Sequence, residues 1–547
     1  MCNNESEVIM KKLLLETSFS KIYIIVMILI SILLVGGYFS YAMFTVSKEK
    51  SNAISIVTGN LTYKLEVDGI ESNTLTVNAN RSREFIVTLS NPNNRIARFN
   101  FYYLGNIPSE VNMGYFESDG YNKTPDSVGI NLEKSGSSGS SNAYRILIEN
   151  KSDNEITIEM GVGVGLDYND LSIPDNAHLF TKIELSNVLN QLLITNKLQT
   201  EKENMFNYTS NGDIFLDATS GTIDNNPDFV TNGLYSIEDE DGISYYFRGD
   251  IDNNYVQFGE YQNDYYIYKY SDMYFQSLES CHERYASCSE SNSERIKLAS
   301  AGDKMYWKLV RINGDGSLRL IYNSNATIDS IVSLVGIVPY NYTYDDPKYT
   351  GYTYDRDANE TDSFIKKEVD TWYNNTLGNS NYDSMVVNGR FCSDSSGYKL
   401  SSEYGFNGFD DTYIFSIYDR LGMAGLSFIK PNSPTLICPE TTETYGGSYR
   451  LKAGLITADE LALAGEGMMI ESNSYLNPNG TGAFYWTMTP SDFKIDGRAY
   501  VRIQNIYIDG YLSSNFLGVR PVINVSLDDA FVSGDGKVEN PYIINYA

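Results

Sequence analysis

The residues best suited to chemistry in this chain form a short cluster, Cys281, His282 and Cys288. Thiolates and imidazoles bind zinc, but a zinc site needs a fourth ligand that this cluster lacks. His282-Glu283 also fails as a zinc-peptidase motif, because Ala286 stands where the second histidine of His-Glu-x-x-His is required. The cluster therefore predicts a disulfide or free thiols rather than a metal centre.

A second pattern offers oxygen ligands. Asp250, Asp252 and Asn254 have the alternating spacing that opens a calcium-binding loop. Tyr255 and Tyr261 replace the glycine and the bidentate glutamate of an EF-hand, which excludes an ordinary one. An irregular calcium site and a solvated acidic turn are the two interpretations. Calcium is the cofactor that the sequence suggests, and none is required.

A third pattern resembles a nucleophile motif. Residues 363–366 and 427–430 both have the sequence Ser-Phe-Ile-Lys, which matches the Ser-x-x-Lys of penicillin-recognising enzymes. The Lys-Ser-Gly triplet at Lys134 precedes both, which is the wrong order for those enzymes. The chain has neither Gly-x-Ser-x-Gly nor a phosphate-binding glycine loop, and it has only 2 His. These patterns predict no catalytic site.

Composition narrows the class of protein. The 547 residues carry a formal net charge of −29, which disfavours a nucleic-acid partner because such a partner needs a concentrated basic surface. There are 45 Tyr and 24 Phe but 3 Trp, and clusters of Asn, Ser, Thr and Gly separate aromatic and β-branched stretches. This pattern is typical of β-rich proteins, and the length predicts two or three domains.

An uncharged apolar run from Ile22 to Val46 separates a short head from the polar remainder. The run is long enough for a transmembrane helix of about 20 residues, and Ser40-Tyr-Ala42 also fits signal-peptidase cleavage near Ala42. Lysines before the run favour a cytoplasmic head. We expect residues 22–46 to contact the cytoplasmic membrane, with the remainder extracellular, either anchored at the cell membrane or secreted after cleavage.

The cysteines support export. Cys2 lies before the apolar run, and the other four of the 5 Cys lie after it. An even number of cysteines in an oxidising compartment predicts two disulfides. The four are Cys281, Cys288, Cys392 and Cys438, for which three pairings are open.

Alternating apolar residues predict short strands over much of the region that follows the run. Leu61, Tyr63 and Leu65 alternate in this way, and turn clusters such as Asn91-Pro-Asn-Asn94 separate the strands. We expect an antiparallel β-sandwich over residues 46–180. Leucines at helical spacing then predict a short helical connector. The domains expected are 1–45, 46–180, 181–232 and 233–547.

The region 233–547 mixes strands with helices. Residues 306–322 give the clearest hairpin signal, because Asn-Gly and Asp-Gly at 313–316 supply the positive φ values of a tight turn. Helices are predicted over 364–377 and from the capping box Thr457-Ala-Asp-Glu460 to Gly465. Within 499–508 the apolar residues move from odd-numbered to even-numbered positions near Gln504 and Asn505, which predicts a bulge or a turn.

The leader and the first strand resemble a known family. A hydrophobic leader that ends in Ala42-Met-Phe-Thr45, followed by a strand with Thr58-Gly-Asn-Leu61, is similar to the TasA and camelysin group of exported bacterial β-sandwich proteins. The resemblance covers the leader and the expected sandwich and implies a matrix-fibre or surface protein. Some members are described as peptidases, but His-Glu-x-x-His does not occur here, so that activity is not carried over.

The region 233–547 resembles an uncharacterised family of bacterial surface domains. The resemblance rests on five motifs in order: Asp241-Gly-x-Ser-Tyr-Tyr-Phe-Arg-Gly-Asp250, Trp307-x-x-x-Arg-Ile-Asn-Gly-Asp-Gly-Ser317, Gly454-Leu-Ile-Thr-Ala-Asp-Glu460, Tyr485-Trp-Thr-Met-Thr-Pro490 and Gly518-Val-Arg-Pro-Val-Ile-Asn524. Relative to this pattern the chain has an insertion at about 260–304, which we expect to be a self-contained loop. The insertion contains two of the cysteines, so the resemblance implies the pairs Cys281–Cys288 and Cys392–Cys438.

More distantly, Trp486-x-x-x-Pro490 and Gly518-x-Arg520 resemble the C-type-lectin-like fold of relatives of formylglycine-generating enzyme. Cys392 and Cys438 do not lie where that enzyme chemistry needs them, so the activity is not implied. In lectin-like folds the region corresponding to 484–515 is similar to a ligand-binding face. The ligand-binding residues implied are Tyr485, Trp486, Tyr500, Arg502, Asn505, Tyr507, Asp509, Tyr511, Asn515 and Arg520.

The expected fold is mainly β with some α. It comprises an N-terminal transmembrane or signal helix, an antiparallel β-sandwich, a short helical connector and an α+β C-type-lectin-like domain. The favoured function is a non-catalytic, adhesin-like bacterial cell-surface binding protein, with a glycan or protein ligand on other cells or matrix. An extracellular matrix or fibre subunit and an exported hydrolase are the alternatives.

Overall fold

The computed structural model describes residues 61–118, 129–183, 187–196, 198–199, 232–271, 273–324, 334–356, 359–399, 413–421, 434–467, 474–476, 484–494, 497–504, 508–527 and 530–546. The predicted membrane or signal run at 22–46 lies outside these residues, as does most of the connector after residue 199. Within the described ranges, no helix combines the length and the apolar character needed to cross a membrane. The described protein is mainly β, as predicted.

Residues 64–182 form two β-sheets that share one core. The strands are β1 Lys64–Val67, β2 Thr74–Val77, β3 Arg81–Ser90, β4 Ala97–Leu104, β5 Val111–Glu117, β6 Ile130–Leu132, β7 Ser141–Asn150, β8 Ile156–Gly165, β9 Ala177–Leu179 and β10 Thr181–Lys182. One sheet has the order β1-β3-β7-β5-β10, and the other has the order β2-β8-β4-β6 with β9 added to β4. Neighbours are antiparallel except β10, which runs parallel to β5.

The sandwich follows from the alternation in its strands. Phe85, Val87 and Leu89 of β3 are buried while the residues between them are half-exposed, so one face of the strand joins the core. Glycines in β8 let other side chains cover the outer face of the second sheet. A Cβ atom at Gly161 would overlap the ring of Tyr102, which lies across it.

The region after the connector contains two larger mixed sheets. Its strands are β11 Gly233–Asp239, β12 Gly242–Arg248, β13 Tyr255–Glu260, β14 Tyr265–Tyr270, β15 Met273–Phe275, β16 Glu294–Ala299, β17 Lys304–Ile312, β18 Leu318–Ser324, β19 Gly336–Val338, β20 Thr353–Tyr354, β21 Thr361–Asp362, β22 Val386–Val387, β23 Gly389–Ser393, β24 Gly397–Lys399, β25 Tyr413–Phe415, β26 Gly447–Leu451, β27 Ala453–Gly454, β28 Tyr485–Lys494, β29 Arg498–Gln504, β30 Ile508–Leu512, β31 Leu517–Val519, β32 Val522–Val525, β33 Ala530–Ser533 and β34 Tyr542–Tyr546. The predicted hairpin is present as β17 and β18.

The first large sheet has the order β22-β32-β18-β17-β13-β34-β33, with β12 joined to β17, β11 to β12 and β27 to β32. The second has the order β16-β14-β15-β19-β31-β28-β25-β24, with β29 on β28 and β30 on β29. The pairs β20-β21 and β23-β26 are separate. The bulge or turn predicted within 499–508 falls partly on residues 505–507, which lie outside the described ranges.

Helices are short and lie between the strands. They are α1 Asn187–Thr195, α2 Leu278–Arg284, α3 Phe364–Asn375, α4 Ile417–Leu421 and α5 Ala458–Leu463, with 3-10 turns at Tyr168–Asp170, Pro347–Thr350 and Asn381–Met385. The predicted capping box begins α5, since Thr457 and Glu460 exchange side-chain and backbone hydrogen bonds. Gly465, with φ of +106°, follows the end of this helix as predicted.

Both disulfides have the predicted pairing, Cys281–Cys288 and Cys392–Cys438. The insertion around the first pair is more closely integrated than a self-contained loop. It supplies β14, β15 and β16 to the second large sheet, and side chains such as Ile267 and Phe275 are buried in the main core. Those apolar side chains would be exposed to water if the insertion stood apart.

A cluster of polar contacts, which we call the Glu84 joint, connects the sandwich to the region after the connector. Glu84 on β3 and Arg145 on β7 form a buried ion pair at 3.0 Å. Ser236 on β11 and Tyr245 on β12 donate their hydroxyls to the same carboxylate at 2.9 and 2.8 Å. Burial, and then the charge of Glu84, raise the pKa of Tyr245 well above its ordinary value. One carboxylate therefore connects four strands from both parts.

Candidate ligand-binding surface

The structure places part of the predicted ligand-binding set inside the protein. Trp486 is fully buried and donates its indole N–H to the carbonyl of Val338 at 2.9 Å. Arg520 is also buried, and its Nε and Nη1 atoms donate to the carbonyls of Tyr322 and Leu476 at 2.7 Å each. These side chains join strands of the core, so they are not available to a ligand at the surface.

Two further members of the set are similarly enclosed. The ring of Tyr485 is buried, with the guanidinium of Arg520 at 5.2 Å from its centroid. Arg502 is 2% exposed and lies 4.1 Å from the centroid of the Tyr418 ring. Substitution of either residue would act first on packing.

The remaining described members are partly exposed. Tyr500, Asp509, Tyr511 and Asn515 lie on β29, β30 and the turn that follows β30. Lys494 at the end of β28 places its Nζ 4.2 Å from the centroid of the Tyr500 ring. Asn505 and Tyr507 lie outside the described residues. The predicted set is therefore divided between a structural half and a surface half.

Exposed aromatic residues extend the surface half. Tyr344, Phe484 and Phe516 are 39%, 36% and 42% exposed, which is unusual for large side chains in a region that buries most of its aromatic residues. The rings of Phe484 and Tyr511 meet at 5.6 Å between centroids. Tyr511 pairs with Val501 and Tyr500 with Leu512, so the side chains of Tyr500 and Tyr511 lie on opposite faces of the sheet. We call Tyr344, Phe484, Tyr511 and Phe516 the aromatic surface.

Strand pairing brings these residues to one part of the fold. Tyr485 pairs with Gly518 where β28 and β31 run in parallel, so Phe484 and Phe516 both lie at the entry to that pair. The backbone N–H of Ala499, next to Tyr500, donates to the carbonyl of Tyr344 at 2.7 Å. Sheet geometry thus collects aromatic residues from distant parts of the sequence.

The sequence pattern had not singled out Tyr344 or Phe516. Both stand among turn-forming polar residues, Tyr344 before Asp-Asp-Pro and Phe516 after Ser-Ser-Asn. A large aromatic residue directly beside a run of turn-forming polar residues is the signal that could have identified them. Exposed aromatic rings can stack on apolar faces of a ligand, while Asp509, two positions before Tyr511, and Asn515, next to Phe516, offer polar contacts.

The motifs behind the surface-domain resemblance build the interior. Arg311 donates through Nη1 to Asp239 at 2.9 Å and through Nε to Glu460 at 3.2 Å. Arg319 forms an ion pair with the same glutamate. Burial raises the pKa of Glu460, but Arg319 and then Arg311 lower it by more, so the net pKa is below the ordinary value. Burial lowers the pKa of Arg319 to about 10. These residues form a charge-balanced core.

A polar crevice also lies beside the Cys392–Cys438 disulfide. Arg390, Glu240 and Thr489 contribute to its lining, and its volume is about 30 Å³. Such a volume accommodates only one or two water molecules, whereas ligand pockets typically measure about 300–1,000 Å³. This crevice therefore does not form a ligand site of ordinary size.

The described residues of the catalytic sequence patterns make structural contacts. Ser363 caps α3 by accepting from the backbone N–H of Lys366, whose ammonium pairs with Asp362 and Asp370. The second Ser-Phe-Ile-Lys, at 427–430, lies outside the described residues. His282 has its Nδ1 3.2 Å from the carbonyl oxygen of Cys288. Ser363, Lys366 and His282 therefore each make a structural contact within the fold.

The predicted calcium ligands face different surroundings. Asn254 is fully buried and donates its side-chain amide to the carbonyl of Leu309 at 2.9 Å. Asp250 and Asp252 are exposed. Across the described part of the chain, no group of three or more His, Cys, Asp or Glu side chains is arranged to hold a metal ion. Calcium binding stays a prediction.

Comparison with protein-family models, with curated proteins and with solved structures finds no match to this chain.

Proposed function

We propose that this chain is a bacterial cell-surface binding protein of the adhesin type, without catalytic turnover. The sandwich serves as a TasA-like stalk, and the region 233–547 serves as a lectin-like domain that contacts a glycan or a protein on other cells or matrix. The apolar run at 22–46 supports attachment to the membrane, or release after cleavage near Ala42. Two disulfides suit an extracellular location.

The aromatic surface carries this proposal. Large aromatic residues exposed together at the edge of a well-packed region are typical of an interaction site. Tyrosine and phenylalanine rings provide contact area with little loss of side-chain entropy, since each has two rotatable bonds. Neighbouring charged and amide side chains supply the polar contacts that orient a ligand.

The test compares two triple variants of the full-length protein. Tyr344→Ala, Phe484→Ala and Phe516→Ala remove the exposed rings, and Ile70→Ala, Leu166→Ala and Ile194→Ala remove exposed aliphatic side chains elsewhere. We expect the first variant to lose about tenfold or more in binding to cells, extracted matrix and glycan arrays, because each buried ring contributes on the order of 1–2 kcal/mol. We expect the second to bind as the parent does.

Thermal unfolding checks that both variants are folded. Retained binding by a folded first variant would overturn the assignment of the aromatic surface. Binding to glycan arrays identifies a glycan ligand, while loss of matrix binding after protease treatment identifies a protein ligand.

A further inference from the structure

An opening, which we call the junction groove, lies between the sandwich and β11, beside the Glu84 joint. Its volume is about 550 Å³, which is within the range of ligand sites. Residues 76–78 and 81–84 line one wall, and residues 236–238 with Ile243 line the other. The junction groove shares no residue with the aromatic surface, so a ligand here is independent of the ligand proposed there.

The backbone of β3 opens to the junction groove where β1 no longer covers it. Asp68, which follows β1, still binds this edge, since its N–H donates to the carbonyl of Ile86 at 2.7 Å and its Oδ1 accepts from the N–H of Ile86 at 2.9 Å. Alternate residues of a strand direct their backbone groups to the same edge, so Ser82 and Glu84 direct theirs as Ile86 does. The N–H of Ser82 donates to Oε1 of Glu238 at 2.5 Å. The carbonyl of Ser82 and both backbone groups of Glu84 therefore face the opening.

Each charged side chain that lines the junction groove has an opposite charge beside it. The ion pairs are Arg81–Glu238 at 3.8 Å, Arg83–Asp68 at 3.3 Å and Glu84–Arg145 at 3.0 Å. A charged ligand would have to compete with these partners. The net charge of −29 also repels anions at long range. The charge balance of the groove thus favours an uncharged ligand.

The same side chains still offer hydrogen bonds. A guanidinium has five N–H donors, and the side chains of Arg81 and Arg83 are 47% and 53% exposed, so donors beyond those in the ion pairs reach the groove. The guanidinium of Arg83 lies 4.4 Å from the centroid of the Phe85 ring, which restricts its orientation. Asn78 is exposed and adds an amide to the same wall. The groove therefore presents donors and acceptors side by side.

This arrangement suits a ligand rich in hydroxyl groups. A hydroxyl is both a donor and an acceptor, so one hydroxyl can accept from the guanidinium of Arg81 and donate to the carboxylate of Glu238. Hydroxyl groups also reproduce the hydrogen bonds of the water that they displace. Val77 and Ile237 add apolar lining for the C–H face of a sugar ring. We propose that the junction groove binds an uncharged oligosaccharide, held by its hydroxyl groups between β3 and β11.

The experiment measures the binding of four trisaccharides to the full-length protein in a detergent without a sugar headgroup. The probes are maltotriose, cellotriose, chitotriose and mannotriose. We expect at least one to bind with a Kd of about 1 mM or lower. Because the ligand is uncharged, its affinity should change by less than about twofold between about 0.05 M and about 0.5 M NaCl. No binding of any of the four at about 10 mM would overturn the proposal.

Two matched double variants locate the site. Asn78→Ala with Arg81→Ala removes an amide and a guanidinium from the junction groove, and Asn94→Ala with Arg95→Ala removes the same groups from an exposed turn beyond the other end of β3. We expect the first to weaken trisaccharide binding by about tenfold or more, and the second to stay within about twofold of the parent. Equal binding by a folded first variant would overturn the proposal.

The aromatic-surface variant separates the two sites. The triple variant of Tyr344, Phe484 and Phe516 should bind the trisaccharide as the parent does. Loss of binding there, with full binding by the Asn78 and Arg81 variant, would place the sugar on the aromatic surface and overturn the groove. Since Asn78 and Arg81 are both exposed, thermal unfolding of their variant should match that of the parent, and the single variants repeat the test if it does not.

Glu238→Gln tests the class of ligand, with trigalacturonic acid as the charged probe. The substitution removes a negative charge but keeps an acceptor oxygen, so binding of the uncharged trisaccharide should change by about threefold or less. An anionic ligand would bind the variant more tightly than the parent, because a like charge has been removed. Tighter binding of trigalacturonic acid than of every neutral trisaccharide, strengthened further by Glu238→Gln, would overturn the ligand class and identify an acidic saccharide.

Discussion

The two halves of this molecule bury different kinds of side chain. The sandwich core is a continuous cluster of aliphatic and aromatic residues, and its buried Arg145–Glu84 pair lies at the outer face, in the Glu84 joint. The region 233–547 encloses charged groups in its interior, including Arg420 on α4, which pairs with Asp394 and Asp459 at 2.8 Å each. Apolar alternation specifies which face of a strand turns inward, whereas buried ion pairs specify which distant segments meet.

The largest expected change in stability concerns the buried carboxylate of Glu460. Glu460→Gln removes the negative charge that faces Arg311 and Arg319. We expect the free energy of unfolding to fall by about 3–5 kcal/mol, because two buried guanidiniums lose their counter-ion. Chemical denaturation measures this change.

Asp241→Asn is the matched control. Asp241 accepts from Arg390 and Arg450 at the surface, and hydrogen bonds from Arg390 are the main cause of its lowered pKa. We expect a loss of about 1 kcal/mol or less there. Equal losses for the two variants would contradict the distinction between buried and surface charge.

A second prediction uses pH. Glu368 on α3 is fully buried, and burial raises its pKa to about 7, although hydrogen bonds from Ser280 and Gln276 oppose the rise. The folded protein therefore holds a proton that the unfolded chain, with an ordinary carboxyl pKa, releases. The unfolding free energy should fall by roughly 3 kcal/mol as pH rises from about 4.5 to about 7.

Glu368→Gln keeps the shape of the side chain but removes its titration. We expect the difference in unfolding free energy between variant and parent to grow in the variant's favour between pH 5 and pH 8. Glu290→Gln, at an exposed carboxylate in a turn, serves as the control. A parent curve parallel to that of Glu368→Gln would show that this carboxyl is not protonated in the fold.

The third prediction belongs to the sandwich. Gly161→Ala places a methyl group in the space of the Tyr102 ring and should lower the unfolding free energy by about 1–3 kcal/mol, the usual range for overpacking. Adding Tyr102→Ala removes the obstacle, so the double variant should lose less than the sum of the single losses. Additive losses would show that the ring does not restrict this glycine.

The smallest effect is expected at an exposed ion pair. Lys367 on α3 and Glu283 on α2 lie 2.7 Å apart, with both side chains nearly half-exposed. Lys367→Gln should change the unfolding free energy by about 0.5 kcal/mol or less. A loss of unfolding free energy as large as that of Glu460→Gln would show that burial does not explain the difference between the exposed and the buried ion pairs.

Local chemistry made part of the fold predictable. The hairpin at 306–322 depends on turn residues next to its own strands, and the box at Thr457 depends on positions three residues apart. The predicted helix over 364–377 ends at Asn375, because Thr376 has left the helical conformation and caps it. The disulfide pairs were also predicted, from the position of the insertion relative to the surface-domain pattern.

Local sequence patterns of this kind could not predict the long-range contacts. Arg311 and Glu460 meet although 149 positions separate them, and no local pattern pairs them. The candidate site shows the same limit. Tyr500 and Tyr511 are partly exposed, but Trp486 and Arg520, which have residue types typical of a binding face, are buried in the core. Burial of an aromatic or arginine side chain depends on which sheet covers it, and that is set by the whole topology.

The Glu84 joint gives the protein a mechanical property. A force that pulls the sandwich away from the region 233–547 would pass in part through the carboxylate shared by Arg145, Ser236 and Tyr245. These short bonds are shielded from water, so solvent cannot readily replace them one at a time. In the cell-surface role that we propose, the sandwich and the region 233–547 would turn together under tension, so the joint would fix the direction in which the aromatic surface faces.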